Sequence, residues 1–104
     1  MRYKQMEIIF KKDKETNEVV AFMPYDFQTW QGEFTCYAHV GQHSNTCYAY
    51  YSSCKPATEE EYKPLMEELQ QIGYNVEVIK RINTAKYRKA YRDFMEKYQV
   101  NRIN

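Results

Sequence analysis

The chain has only three glycines, three prolines and one tryptophan in 104 residues, and no apolar run approaches the length of a membrane span. So little glycine and proline argues against a low-complexity or collagen-like polymer. Without about 18 to 20 consecutive apolar residues, no transmembrane helix is expected and no membrane partner is read from the sequence. Met1-Arg2-Tyr3-Lys4 leads into a strand-like segment carrying Glu7 rather than into a signal-peptide core, so a cytoplasmic setting is the expectation. Cysteine is scarce as well. Cys36, Cys47 and Cys54 are odd in number, in a chain large enough to fold without staples, so a disulfide framework is not expected. Also missing are a glycine-rich phosphate loop, a nucleophile elbow and a metalloprotease helix.

What the chain does have is 43% hydrophobic and 28% charged residues, the balance of a packed globule. Eleven tyrosines reconcile that content with a mean hydropathy of −0.85, because each ring can be buried while its hydroxyl scores as polar. The net charge of +1 conceals an asymmetry. Residues 1–79 hold seven Lys/Arg and twelve Asp/Glu, or −5, whereas residues 80–104 hold eight and two, or +6. The end of the chain is locally basic.

Met6, Ile8 and Phe10 alternate with Glu7, Ile9 and Lys11, which places an apolar row on one face of a strand. Polar residues 13–17 then form a turn, and Val19 to Met23 return as a second strand before Pro24. Residues 25–33 read as an irregular excursion anchored by Phe27 and Trp30. A second hairpin follows, with a strand over 34–40, a turn over 41–45 and a strand over 46–52. Its register is open. Pairing residue 39 with 47 gathers Tyr37, His39, Cys47, Ala49 and Tyr51 on one face, whereas a shift of one residue brings Tyr48 and Tyr50 beside Tyr37 and His39.

The clearest local signal is Pro56-Ala57-Thr58-Glu59-Glu60-Glu61, in which Thr58 caps a helix and Glu61 closes a reciprocal capping box. Tyr62, Leu65, Met66, Leu69 and Ile72 recur at three and four residues and form a stripe for burial against a sheet. Pro64 conflicts with a regular helix starting at Glu59, so a kink, an altered first turn or a later start is expected. Gly73 ends the helix, and residues 74–80 form a last strand with Val76 and Val78 on one side. Asn83 or Thr84 caps a further helix carrying Tyr87, Tyr91, Phe94 and Tyr98 on one stripe, with Lys89 to Asp93 and Arg92 to Glu96 as pairs on its surface. The fold class is therefore α+β: an antiparallel sheet of about five strands packed against one helix, with an additional C-terminal aromatic helix. Residues 1–82 form the compact core, and residues 83–104 are a helical extension docked on that core or on a partner.

Gly41-Gln42-His43, the helix start Ala57-Thr58-Glu59-Glu60-Glu61-Tyr62 and the helix end Leu69-Gln70-Gln71-Ile72-Gly73-Tyr74 together resemble a family of small uncharacterised proteins carried by Bacteroidetes and their phages or mobile elements. The likeness covers Glu7 to Arg81. It implies an accessory, element-encoded protein and transfers no activity to individual residues.

The residues offer three kinds of chemistry. Cys36, His39, His43 and Cys47 supply zinc-type ligands at Cys-x2-His-x3-His-x3-Cys, but a regular strand sends Cys36 and His39 to opposite faces, and no metal or other cofactor is favoured. Cys47 or Cys54 as nucleophile with His39 or His43 as base requires a close thiol–imidazole approach that nothing in the spacing supplies, so an enzyme is not favoured. The leading expectation is a noncatalytic accessory binding protein recognising a protein surface through Tyr37, His39, Tyr48, Tyr50, Lys80, Arg81, Arg88, Lys89 and Arg92. The alternative is a nucleic-acid-binding module using the same tyrosines and the basic C-terminal segment. A solvated helix face with ordinary aromatic packing is the competing account of those residues. The partners this reading allows are a host or element-encoded protein, a nucleic acid, or a second copy through the C-terminal helix.

Overall fold

The computed structural model describes residues 4–38 and 42–103, with their side chains over 5–38 and 43–98. β1 (Lys4–Lys12) and β2 (Val19–Phe27) form the first hairpin, with Ile9 opposite Phe22 and Lys11 opposite Val20. Its turn is built on Asp13, whose Oδ1 accepts from the backbone N–H of Glu15 at 2.8 Å and of Thr16 at 3.0 Å. Asn17 adopts φ +61°, a conformation its short polar side chain tolerates.

β3 (Phe34–Ala38) pairs antiparallel with β2, and β4 (Gln42–Thr46) pairs antiparallel with β3, Tyr37 lying opposite His43. This corrects both registers expected from sequence. Ala38 already pairs with Gln42, so residues expected in a turn are strand, and residues 48–53 are left to form a helix, α1 (Tyr48–Ser53). Of the loop anchors, Phe27 is buried, but the Trp30 side chain stands 52% exposed.

At the other edge of the sheet β1 has two partners. The two-residue β5 (Lys55–Pro56) runs antiparallel to its second half, and β6 (Tyr74–Val78) runs parallel to its first half, with Met6 opposite Val76. The result is a six-stranded sheet in the order β4-β3-β2-β1-β5, antiparallel except where β6 joins β1.

Helices cover both faces. α2 (Glu59–Gln71) begins at the expected capping box: Thr58 accepts from the Glu61 N–H at 3.2 Å, and Glu61 accepts from the Thr58 N–H at 2.9 Å. The helix runs through Pro64, which sits on its solvent side, so the start is not displaced. Leu65 and Leu69 are buried against Ile8, Phe10, Ala21, Met23 and Tyr37, and Tyr62 stacks on Phe10 with centroids 4.4 Å apart. The expected stripe ends there. Ile72, at the helix C-cap, is 51% exposed, and Val78 is exposed at the end of β6.

The opposite face, carrying Ile9, Phe22, Phe27, Phe34 and Cys36, is covered by α1 and by α3 (Thr84–Ile103). Tyr87, Tyr91 and Phe94 of α3 pack on it, as their spacing in the sequence requires. The fold is thus mixed α+β, with its sheet between α2 on one side and α1 with α3 on the other. No described helix is long and apolar enough to cross a membrane.

Candidate functional site

α1 is only six residues long, and it is held by what it buries. The Tyr51 ring stands edge-on to Phe22 at 5.3 Å and to Phe34 at 6.4 Å, and Cys54 fills the adjoining core. Lys11 fixes the helix end: its ammonium donates to the Tyr51 carbonyl at 3.0 Å and lies 4.0 Å from the Tyr51 ring centroid. A cation at the carbonyl end of a helix is favourably placed, and the ring face adds to the attraction. Burial lowers the Lys11 pKa from its ordinary value.

With Tyr51 turned inward, Tyr48 at the first position of α1 faces out and is 51% exposed. Its ring lies 5.5 Å from Tyr51 and 6.0 Å from Tyr87 of α3. α3 is set in turn by Asn83, whose Oδ1 accepts from the Lys86 N–H at 3.0 Å and whose own N–H donates to the Tyr25 hydroxyl at 2.9 Å. Tyr87 and Tyr91 pack on Phe27 at 5.0 and 5.2 Å, and the Tyr91 hydroxyl donates to the Trp30 carbonyl at 2.8 Å. Burial pushes the Tyr87 phenol above its ordinary value.

Between these helices lie two adjoining clefts that share Tyr48, Tyr87 and Arg88. One, of about 260 Å³, is closed by Phe27, Gly32, Cys47 and Tyr91. The other, of about 560 Å³, is closed by Tyr51, Arg81, Ile82 and Thr84. Arg81 and Arg88 are exposed and join no ion pair with another described residue, whereas Lys86 is engaged by Glu7 and Lys89 by Asp93 at 2.8 Å. Chemically, the arrangement offers an exposed ring, apolar walls and planar guanidinium donors to an approaching apolar group and to carboxylate or phosphate oxygens.

Of the residues singled out in the sequence, the structure brings Tyr48, Arg81 and Arg88 together at this site. Lys89 and Arg92 are exposed on α3. Lys80 lines a different cleft, at the split edge of β1 beside Pro56 and Val78. Tyr37 does not join them: it is 3% exposed beneath α2, on the opposite face of the sheet, and its hydroxyl bonds Glu68, which first of all raises its pKa to about 12. Tyr50 is half-buried against Phe22 with its hydroxyl on Asp13. His39 lies outside the described residues. The expected patch joining Tyr37 with Tyr48 and Tyr50 is therefore divided by the sheet itself.

The Cys/His set divides in the same way. His43 is exposed on the Tyr37 side, its ring 4.9 Å from Tyr37 and its Nε2 2.8 Å from the Tyr74 hydroxyl. Cys36 points to the other face, where its Sγ lies 3.2 Å from Ser44 Oγ. Among the described residues no group of three or more His, Cys, Asp and Glu converges on a metal position. Cys54 is buried on the α1 side, away from His43, and burial pushes its thiol up, so these two do not form a thiol–imidazole pair.

Tyr51, Ile82 and Tyr87 were not marked as site residues by the sequence. A four-residue stripe from Tyr87 to Tyr91 signals burial, and nothing local says that α1 will stop short and leave Tyr87 partly open. Comparison with protein-family models, with curated proteins and with solved structures found no match.

Proposed function

We propose that the chain is a noncatalytic accessory protein that recognises a protein surface through the cleft between α1 and α3. The observation that carries this reading is the exposed Tyr48 ring set between clefts that both include Arg88, an arginine with no ion-pair partner among the described residues. Tyrosine, tryptophan and arginine are the residues on which protein interfaces concentrate their binding energy, and Trp30, 52% exposed, stands on the loop that Tyr91 holds. The resemblance noted above fits an element-encoded protein acting on a host component.

Nucleic acid is the second reading, motivated by the +6 charge of residues 80–104. A phosphate track needs a row of free cations, and two of the α3 lysines are already engaged by Glu7 and Asp93. That favours protein.

The test is affinity capture from cells expressing the protein, run in parallel with wild type, Tyr48→Ala and Arg88→Ala, with and without nuclease. A partner retained by wild type, lost by both variants and indifferent to nuclease is the expected result. Partners retained equally by all three chains contradict the proposal, and loss on nuclease treatment turns the reading to nucleic acid.

A further inference from the structure

The two clefts differ in what they present, and the difference specifies the partner. The smaller, about 260 Å³, falls below the usual range of about 300 to 1,000 Å³ for small-molecule sites, so it suits one side chain of a longer molecule. The rings of Phe27, Tyr48, Tyr87 and Tyr91 line it, beside Gln31 and the shared Arg88. The loop beside it is held in place by Tyr91 on the Trp30 carbonyl, and at Gly32, where φ is +92°, there is no side chain to fill the space. The larger cleft adds Arg81 to the shared Arg88. Although the chain has 14 Asp and Glu residues, no carboxylate of a described residue lines either cleft. An apolar pocket therefore borders a site with guanidinium donors and, among the described residues, no carboxylate in its lining.

We infer that the cleft receives an acidic peptide segment in which an apolar side chain, seated against Phe27, Tyr87 and Tyr91, neighbours a carboxylate-bearing residue held by Arg88 and Arg81. The inference rests on the protein-binding reading above and narrows it. Arginine forks match carboxylates in bidentate geometry, and an apolar anchor beside them adds binding that a free carboxylate lacks. Helix-in-groove and extended segments both satisfy this pairing.

The experiment is selection of random displayed peptides against the intact chain, followed by anisotropy titration of the enriched sequences on wild type, Tyr48→Ala, Arg81→Glu and Arg88→Glu, with circular dichroism confirming that each variant is folded. Enriched peptides should place Asp or Glu beside Phe, Tyr, Leu or Met. Their affinity should fall by about tenfold or more on Arg88→Glu, as expected for a charge-assisted bond made repulsive. Exchanging the peptide carboxylate for lysine should recover part of that loss. Peptides that need Tyr48 but carry no acidic residue overturn this inference and leave the binding-module reading standing. Failure to enrich any peptide that depends on Tyr48 or Arg88 overturns both. So does oligothymidylate binding more tightly than every peptide and losing its affinity on Arg88→Glu.

Discussion

The hydroxyl of Tyr50 donates to Oδ2 of Asp13 at 2.7 Å, joining α1 to the turn of the first hairpin. The bond matters beyond its own strength, because α1 also carries Tyr48, and whatever holds α1 against the sheet holds one wall of the cleft. Together with the N–H groups of Thr16 and Glu15, it keeps the Asp13 carboxyl at about 2. Burial, followed by the bond to Asp13, pushes the Tyr50 phenol well above its ordinary value.

Acid should therefore loosen the molecule in a defined window. The Lys12 ammonium, first of all, and then the Thr58 N–H hold the Glu61 carboxyl at about 2 as well, against ordinary values of 4.5 for it and 3.8 for Asp13. Both carboxylates bind protons more readily when unfolded, so their contribution is complete above about pH 4.5 and is lost as the pH falls towards 2. Urea unfolding across this range should show a falling midpoint. Asp13→Asn and Glu61→Gln should be weaker than wild type at neutral pH and fall less steeply. Slopes equal to wild type in both variants would contradict the account.

Leu69 and Ile72 share a periodic stripe in the sequence but have opposite fates in the fold, the first fully buried and the second 51% exposed. Leu69→Ala should cost about 2 to 5 kcal/mol through lost burial and a residual cavity. Ile72→Ala should change stability by no more than about 0.5 kcal/mol. Equal losses in denaturant titrations would mean that α2 extends further onto the sheet than described.

The three cysteines should separate by reactivity. Cys47 is exposed at the cleft, whereas Cys36 and Cys54 are buried. Under native conditions near neutral pH, a thiol reagent followed by peptide mass mapping should modify Cys47 first, with Cys36 and Cys54 reacting only at the rate of unfolding. Rapid labelling of Cys54 would argue that α1 is not seated on the core.

How far the sequence revealed this molecule depends on the range over which each element is decided. α2 is legible because Thr58 and Glu61, three positions apart, carry their own signal. The first hairpin is legible because Met6, Ile8 and Phe10 alternate and Asp13 begins a polar turn. α1 is not legible: Tyr48-Ala49-Tyr50-Tyr51 suits a strand, and only the packing of Tyr51 on Phe22 and Phe34 makes a helix the better use of those rings. Nor does anything in residues 74–78 say that β6 will lie parallel to β1, since its partner is chosen some 70 positions away. The candidate site inherits this mixture. Arg81 and Arg88 are visible as basic residues in a charged segment, but their meeting with Tyr48 depends on α1, and the separation of Tyr37 from Tyr48 depends on which face of the sheet each occupies.

Whether recognition occurs between α1 and α3 is read by mapping amide chemical-shift changes on the isotopically labelled chain titrated with its tightest selected peptide. Perturbations should concentrate at residues 31–32, 47–51 and 81–92. Perturbations centred instead on α2, or on the His43–Tyr74 side of the sheet, with residues 47–51 and 81–92 unmoved, would contradict it.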